Sequence, residues 1–295
     1  MTVFEPELKQ EIELVLYQNS GDKNSITTIQ PVSGGSINKV FRLQTQAKDF
    51  IVKLNDAAKF PKMFELEAEG LAAIRQTKTI AVPEVIATGI AGNQSFLLLE
   101  NIKTGTKTKT SIQKLGSQLA EMHQNTADNF GFEKDNYMGS LPQSNRKHET
   151  WKSFFVEERL KPMVKPASDA SFIDQKLVSD FEKLYQKLGE LYDEEKPSLI
   201  HGDLWSGNYL ISSEGKPYLI DPAVSYGFRE FDLAMTKLFG GFSNDFYQAY
   251  QEAFPLQSDW QQRIDLWNLY PLLMHLNVFG LSYLGQVKSG LRKFL

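Results

Sequence analysis

The spacing of apolar residues changes once along this chain, near residues 100 to 105. Before that point the spacing is typical of strands: in DFIVKL, Phe50, Val52 and Leu54 alternate with Ile51 and Lys53. After it, apolar residues recur every three or four positions, as in amphipathic helices. We therefore predict an α+β fold with two lobes. Residues 1–102 form a small N-terminal antiparallel sheet lobe with one main helix, and residues 103–295 form a larger, mostly helical C-terminal lobe.

Individual elements follow from the same spacing. Residues 26 to 54 predict three strands around a Gly-containing turn, residues 60 to 76 predict a helix, and EVIATGI with QSFLLLENI predicts a strand pair. Two helices of the second lobe are predicted from apolar positions at Leu115, Leu119 and Met122, and at Phe172, Leu177, Phe181, Leu184 and Leu188. The runs LIHGDLWSGNYLI and YLIDPA interrupt the helices as short strands.

Composition limits the partners and the compartment. The formal net charge is −4, without blocks of like charge, so we expect no nucleic-acid partner. The absence of cysteine excludes disulfides and thiolate chemistry and favours a cytoplasmic location. The N-terminus has no signal-peptide pattern, and residues 266–287 carry no formal charge. Because polar residues and Pro271 interrupt that run, we predict a buried helix or helix pair and no membrane partner.

The stretch HGDLWSGN is the densest group of polar residues with chemical potential. Asp203 stands five positions before Asn208, and Asp221 follows the apolar run YLI eighteen positions after Asp203. Phosphoryl transfer from ATP needs a carboxylate that orients the attacking hydroxyl and oxygen ligands for Mg²⁺. This spacing predicts Asp203 as the catalytic base and Asn208 with Asp221 as metal ligands. The alternative is a helix-capping turn beside an unrelated aspartate.

Upstream residues supply the expected nucleotide contacts. Gly34, Gly35 and Ser36 lie between two strands, where missing side chains would let backbone N–H groups approach phosphate. Lys53 follows in a strand, and Glu67 of the next helix is its expected ion-pair partner. Taken singly, the glycines also fit a hairpin turn and the lysine also fits a solvated strand edge.

Two further points concern the same expected site. Glu65 and Glu69 lie on other faces of the helix and compete with Glu67 as partners of the lysine. The strand FLLLENI leaves the sheet at Glu100, Asn101 and Ile102, whose backbone is expected to bind the adenine. Together these parts predict ATP and Mg²⁺ as cofactors.

The order of these parts resembles the protein-kinase-like fold in its small-molecule phosphotransferase branch. HGDLWSGN, DPA, YG at 226 to 227 and EFDLAM at 230 to 235 resemble the fructosamine kinase, or ketosamine-3-kinase, family. GGSIN, MFELEAEGL, LGSQLAEMH, NFGF, GSLPQ and WKSFF support that resemblance over residues 34 to 241. It implies transfer of the ATP γ-phosphate to the O3 hydroxyl of a fructosamine, ribulosamine or erythrulosamine, and release of the amine afterwards. The partner would be a small ketosamine or a protein-bound glycated amine.

The resemblance also assigns roles to single residues. It gives Asp203, Asn208, Asp221, Lys53 and Glu67 the roles described above and makes His201 an organiser of the catalytic loop. His123 is expected to be a buried structural residue. Arg159 could bind phosphate or pair with Glu157 or Glu158, and the pairing is favoured. A ketosamine carries hydroxyls and a cationic amine, so carboxylates and aromatic faces are expected around it. The candidates for these contacts are Trp205, Tyr226, Glu230 and Asp232, with Trp151 as a further one. Asp232 opens an apolar helix, where an aspartate more often caps the helix or braces the catalytic loop, and Trp205 also fits a packing position beneath that loop.

Two other functions stay open at this level. The same fold could phosphorylate another small hydroxyl compound, such as an aminoglycoside, choline or a sugar. A pseudokinase that binds ATP without catalysis is the alternative of another class. FDL at 231–233 begins only ten positions after Asp221, so no long activation loop fits there. Regulation by phosphorylation of such a loop is therefore not expected.

Overall fold

A five-stranded antiparallel sheet forms the N-terminal part of the chain. The computed structural model describes residues 4–20, 25–32 and 37–295. The sheet order is β1-β2-β3-β5-β4, so β3 lies at its centre. Its strands are β1 (Thr28–Val32), β2 (Lys39–Gln44), β3 (Asp49–Asp56), β4 (Val85–Ala91) and β5 (Gln94–Glu100). This confirms the predicted strands and the strand pair that follows Pro83.

Helices cover both faces of this sheet. Helix α1 (Pro6–Ser20), which the sequence analysis did not predict, packs with Leu98 of β5 in one buried cluster. Helix α2 (Met63–Thr77) packs with Leu97 and Leu99 in another cluster. Adjacent residues of a strand point to opposite faces, so β5 is buried on both sides and its apolar run is continuous.

The rest of the chain is mainly helical, with short strands near the centre. Its helices are α3 (Lys109–His123), α4 (Trp151–Phe154), α5 (Lys161–Asp169), α6 (Gln175–Lys187), α7 (Glu230–Leu238), α8 (Asn244–Ala253), α9 (Ile264–Trp267), α10 (Leu269–Phe279) and α11 (Leu284–Arg292). A π-helical turn, Phe155–Leu160, joins α4 to α5. The short strands are β6 (Asn136–Met138), β7 (Leu141–Gln143), β8 (Ser198–Ile200), β9 (Tyr209–Ile211), β10 (Pro217–Leu219) and β11 (Ser225–Gly227).

The two predicted lobes share a buried core at their junction. One apolar cluster contains Leu71 of α2, Leu99 of β5, Leu115 of α3 and Leu219 of β10. The connection after β5 also bonds to the second lobe, because Gly105 N–H donates to the carbonyl of Ile211 at 2.8 Å. The division at residue 102 stays a prediction, since packing continues across it.

The uncharged run near the C-terminus is divided into several pieces. It spans parts of α9, α10, a 3₁₀ turn (Leu281–Tyr283) and α11. Gly280 ends α10 with φ of 85°, a conformation that favours glycine. Among the residues that the structure describes, no helix is long and apolar enough to cross a membrane.

Candidate active site

A β-hairpin brings two of the predicted polar residues together. Strands β9 and β10 pair antiparallel, with Tyr209 opposite Leu219. The next pair outward is Asn208 and Ile220, joined by a backbone hydrogen bond of 3.0 Å. Asp221, the residue after Ile220, therefore lies close to Asn208 in space, although thirteen positions separate them in the sequence. Asp221 has φ of 55°, an unusual conformation for a residue other than glycine.

Asp203 is held by the Asn208 side chain. The amide Nδ2 of Asn208 donates to the backbone carbonyl of Asp203 at 2.8 Å and to its Oδ2 at 2.9 Å. Burial, followed by the charge of Asp221, raises the pKa of Asp203 to about 8, although the Asn208 bond opposes the shift. A carboxyl group whose pKa lies near neutrality is suited to general base catalysis.

Lys53 connects the sheet lobe with the hairpin. Its Nζ lies 2.7 Å from each carboxylate oxygen of Glu67 and 3.2 Å from Oδ1 of Asp221. Burial lowers the pKa of Lys53, but the charges of Asp221 and Glu67 outweigh it and raise that pKa above its ordinary value. Burial raises the pKa of Glu67, and the charge of Lys53 opposes that change. The geometry selects Glu67 over Glu65 and Glu69 as the partner of the lysine.

The buried side chain of Asp232 fixes the backbone of the loop that carries Asp203. Its two carboxylate oxygens accept the backbone N–H groups of His201 at 2.7 Å and Gly202 at 2.9 Å. Asp232 is completely buried and also contacts Nε2 of His123 at 3.1 Å. Gly202 has φ of 81°, and a Cβ atom there would lie 2.1 Å from the Ala223 carbonyl oxygen. Glycine is therefore required for the close approach of these two loops.

His201 joins the catalytic loop to the residue before Asp221. Its Nε2 lies 2.9 Å from the Ile220 carbonyl oxygen, and its Nδ1 lies 3.2 Å from the N–H of Asp203. Burial lowers the pKa of His201, which favours the neutral ring. With one proton, Nε2 donates and Nδ1 accepts, so both bonds are satisfied. This arrangement agrees with the predicted organising role of His201.

The donor groups at this site fit a hard divalent cation. Because Nδ2 of Asn208 binds Asp203, the amide Oδ1 is the atom that could bind a metal. Asp221 offers a carboxylate whose side chain is 44% exposed. Mg²⁺ is commonly held by one or two protein oxygens together with substrate phosphates. Among the described residues there is no cluster of three or more His, Cys, Asp or Glu arranged to hold a metal without such phosphates.

Comparison with known proteins agrees with this geometry. The family model for fructosamine kinase matches residues 8–295. The chain belongs to the fructosamine kinase family. A protein named probable ketoamine kinase from Enterococcus faecium is 38% identical over 266 residues, which cover 90% of this chain and 94% of that protein. The chloroplastic protein-ribulosamine 3-kinase of Arabidopsis thaliana is 38% identical over 280 residues, covering 93% and 85%.

Solved structures extend the comparison to the fold. A crystal structure from Haemophilus somnus, described as a candidate fructosamine-3-kinase, has a TM-score of 0.88 at 27% identity and covers 96% of each chain. An aminoglycoside phosphotransferase has a TM-score of 0.62 at 14% identity, covering 97% of this chain and 99% of that one. The second likeness concerns the fold alone. The predicted α+β, protein-kinase-like architecture is confirmed.

In this member of the fructosamine kinase family, two groups of residues remain that were predicted to contact the nucleotide: the glycine turn and the segment after β5. Gly34, Gly35 and Ser36 lie outside the described residues. Glu100 ends β5, and its N–H donates to the Glu84 carbonyl at 2.9 Å. Asn101 and Ile102 follow, half-buried, as the chain leaves the sheet for the second lobe. Their contact with adenine stays a prediction.

The four candidate residues for substrate contact fall into two groups: two half-buried aromatic residues and two buried carboxylates with protein partners. Trp205 is half-buried on the catalytic loop, two positions after Asp203. Tyr226 lies in β11 with its ring 6.2 Å from that of Phe132. Glu230 is buried, and its carboxylate accepts bonds from Arg263 at 2.6 and 2.9 Å and from the Trp267 indole at 2.9 Å. Glu230 and Asp232 are therefore not part of the proposed substrate site. Glu230 binds Arg263 and Trp267 in the core, and Asp232 braces the loop of Asp203.

Two other expectations require correction. Trp151, a further candidate for substrate contact, is 1% exposed and stacks on Phe155 in the core. Arg159 does not pair with the carboxylate of Glu157 or Glu158. Its guanidinium donates to the Ser144 carbonyl at 2.6 Å and to Oδ1 of Asn145 at 2.7 Å. The Glu158 carboxylate instead binds His148 at 2.8 Å and Arg146 at 2.9 Å. Residues one position apart on a helix do not face each other, which explains why Arg159 does not meet Glu158.

A buried polar network that was not predicted from the sequence lies beside the site. Gln143 donates to Oδ1 of Asn136 at 2.8 Å and to the Ala223 carbonyl at 3.4 Å, while Tyr270 donates to Oε1 of Gln143 at 2.7 Å. The network supports the segment that follows Asp221. GSLPQ, noted only as a family-like stretch, was the available signal, because it contains Gln143.

Proposed function

We propose that this protein is an ATP- and Mg²⁺-dependent kinase that phosphorylates the O3 hydroxyl of ketosamines. The observation that supports it most is the convergence of Lys53, Asp203, Asn208 and Asp221 from separate parts of the chain. These are the cation, base and metal-ligand types that phosphoryl transfer requires. Family membership adds the acceptor class, since relatives are named ketoamine kinase and protein-ribulosamine 3-kinase.

Each residue has a defined task in this proposal. Asp203 orients the acceptor hydroxyl and accepts its proton, and Asn208 keeps the Asp203 carboxylate in place. Lys53, fixed by Glu67, holds the phosphates of ATP on the side of the sheet lobe. Asn208 and Asp221 would hold Mg²⁺, which when bound neutralises charge on the phosphates. Little covalent chemistry is left to the protein, so positioning and electrostatics carry the catalysis.

The proposal extends to the product and to the setting. We expect the 3-phosphate to break down and free the amine, so that the reaction reverses glycation. Small ketosamines and protein-bound glycated amines are both proposed acceptors, without a nucleic-acid or membrane partner. The cytoplasm is the proposed location, and fractionation of cells with an antibody to the chain would test it.

A panel assay tests the acceptor and the position of transfer. The purified protein is incubated with ATP, Mg²⁺ and the erythrulosamine, ribulosamine or fructosamine of one simple amine. We expect a product whose phosphorus couples to the C3 proton in NMR. Asp203→Asn should abolish transfer, whereas Asp169→Asn, at a side chain 64% exposed, should retain it. Transfer only to aminoglycosides, choline or free sugars, or nucleotide binding without transfer to any acceptor, would refute the proposal.

A further inference from the structure

A row of aromatic side chains extends from the catalytic loop to the surface. We call it the aromatic strip and define it by the ring contacts among Trp205, Phe239, His275, Phe279 and Tyr283. Ring centroids are 6.3 Å apart between Trp205 and Phe239, 5.2 Å between Phe239 and His275, and 5.0 Å between His275 and Tyr283. The strip therefore continues without a gap from a point two residues after Asp203.

The strip is partly exposed, both at Phe239 beside Trp205 and at its outer end. Phe239 is 45% exposed and Phe279 is 49% exposed, while Leu281, between Phe279 and Tyr283 in sequence, is 60% exposed. Three of the large apolar side chains with the greatest exposure thus lie within or beside one short stretch of surface next to the loop of Asp203. Clustered apolar exposure of this kind marks a binding surface more often than isolated exposed residues do.

Helix α10 connects this surface with the neighbourhood of Asp203. Tyr270, at its beginning, is close enough for the charge of Asp203 to contribute to raising the Tyr270 pKa, although burial is the larger cause. Met274 and Ile37 of the sheet lobe both lie near the turn at Gly139, since a Cβ atom there would be 4.0 Å from Sδ of Met274 and 3.1 Å from Cδ1 of Ile37. His275 and Phe279 follow on the same helix and belong to the strip. The helix therefore runs from the junction of the lobes to the exposed end of the strip.

The electrostatic character of the strip suits a cationic amine. Nδ1 of His275 lies 2.6 Å from the Pro271 carbonyl oxygen, so this nitrogen carries the proton and Nε2 is an acceptor. Burial lowers the pKa of His275, which keeps the ring neutral near pH 7. The other members of the strip present aromatic faces, which attract ammonium groups. A secondary ammonium group leaving the site would thus meet acceptors and ring faces.

We propose that the aromatic strip binds the carrier side of the substrate, namely the methylene stem of a glycated lysine and the polypeptide residues beside it. This inference rests on the proposed function. With the O3 hydroxyl at Asp203, nine bonds separate that oxygen from the lysine Cα, about 11 Å along an extended chain. That length is comparable to the two steps along the ring centroids from Trp205 to Phe239, 6.3 Å, and from Phe239 to His275, 5.2 Å. Lysine stems pack readily along apolar surface, so the stem follows the rings and the peptide lies at Phe279 and Tyr283.

The test compares two substrates that share one sugar. The first is the fructosamine of methylamine, which lacks the stem and the peptide. The second is the same fructosamine on the lysine of a short acetylated peptide. For Phe279→Ser, we expect the ratio of kcat/KM for the peptide to kcat/KM for the small substrate to fall about tenfold, because one ring contact is lost.

A matched variant separates the strip from general effects of losing an exposed aromatic residue. Tyr17 on α1 is also 49% exposed, and Tyr17→Ser should leave the ratio at the wild-type value. Tyr283→Ser is a second strip variant if Phe279→Ser fails to fold, and the same fall is expected. A ratio that stays constant in the strip variants overturns the docking proposal. So does a wild-type dimer, seen by sedimentation, that Phe279→Ser dissociates without changing the ratio.

The same experiment distinguishes this inference from the proposed function. If the docking proposal fails, wild-type protein still phosphorylates the fructosamine of methylamine. If the proposed function fails, wild-type protein phosphorylates neither substrate.

Discussion

The side chain of Asn208 binds Asp203 twice, through the backbone carbonyl at 2.8 Å and the carboxylate at 2.9 Å. Asn208 therefore fixes both the backbone and the side chain of the proposed base. Its oxygen and its nitrogen have different tasks in this arrangement, because the nitrogen binds Asp203 while the oxygen is the proposed metal ligand. A substitution that keeps one atom type and removes the other separates these tasks.

Asn208→Asp is such a substitution. It retains an oxygen for Mg²⁺ but places a second carboxylate against Asp203 in place of a donor. We expect kcat to fall about a hundredfold, the low end of the contribution of a positioned base. The dependence of the rate on Mg²⁺ concentration should remain close to wild type. A wild-type kcat would show that the Asn208 donor does not position Asp203, and loss of Mg²⁺ dependence would contradict the division of tasks.

Lys53 and Glu67 form a buried ion pair whose charges depend on each other. Their side chains are 6% and 11% exposed. Lys53→Met leaves the Glu67 carboxylate without its cation, and we expect the free energy of unfolding to fall by about 3 kcal/mol. In Lys53→Met/Glu67→Met both charges are absent, so most of that stability should return, although catalysis should not. Urea unfolding and kinase assays measure the two properties, and equal destabilisation of both variants would refute the pairing.

The raised pKa of Asp203 predicts a pH dependence of the rate. Asp203 must be unprotonated to accept a proton, so kcat/KM should fall as the pH is lowered through its pKa in the free protein. Burial and the charge of Asp221 place that pKa at about 8, above the ordinary value of 3.8. The rising limb of kcat/KM against pH should therefore lie close to neutrality. A limb near pH 3.8 would contradict this prediction.

The same shift predicts an effect on stability. The pKa of Asp203 is higher in the folded protein than in the unfolded chain. The ionised carboxylate is therefore disfavoured in the folded state, and the free energy of unfolding falls as the pH rises from the unfolded-state pKa to the folded-state pKa. Asp203→Asn has no such ionisation, so its Tm relative to wild type should rise between pH 5 and pH 8, measured without nucleotide. The control Asp169→Asn, at an exposed side chain, should show no such trend. A Tm difference independent of pH would contradict the assignment.

Local patterns in the sequence were enough to predict most of the elements. Alternation in β3 and three- or four-residue spacing in α3 each reflect one buried face, and such spacing can be read without tertiary information. Helix α1 was missed because its buried residues, Leu8, Ile12 and Leu16, were not considered apart from the acidic N-terminus. Phe172 was included in the helix that follows, but α6 begins at Gln175 behind the capping side chain of Asp174.

Contacts between distant residues explain the remaining differences at the site. A capping or bracing role was favoured for Asp232 over substrate contact, but the sequence did not indicate its partners, His201 and His123, which lie 31 and 109 positions away. Likewise, Glu230 binds Arg263 and Trp267 from a later part of the chain. No periodic pattern encodes these pairs. The hairpin of β9 and β10 brings Asn208 and Asp221 together locally, so this half of the site was within reach of sequence reasoning.

Kinetic measurements on variants of Asp232 can distinguish a residue that braces the loop of Asp203 from one that binds the substrate. Asp232→Ala removes the acceptors of the buried N–H groups of His201 and Gly202, and unsatisfied groups of this kind cost free energy. We expect the free energy of unfolding to fall by about 3 kcal/mol. The kcat should also fall, because the loop of Asp203 is released.

The Michaelis constant supplies the discriminating measurement. If Asp232 only braces the loop, KM for the ketosamine should stay near the wild-type value in the folded fraction of Asp232→Ala. Asp232→Asn, which keeps one acceptor oxygen, should recover part of the stability and part of kcat, whereas the exposed control Asp169→Ala should match wild type throughout. A large rise in KM with unchanged kcat would instead show that Asp232 contacts the substrate, because uniform binding energy would have been lost.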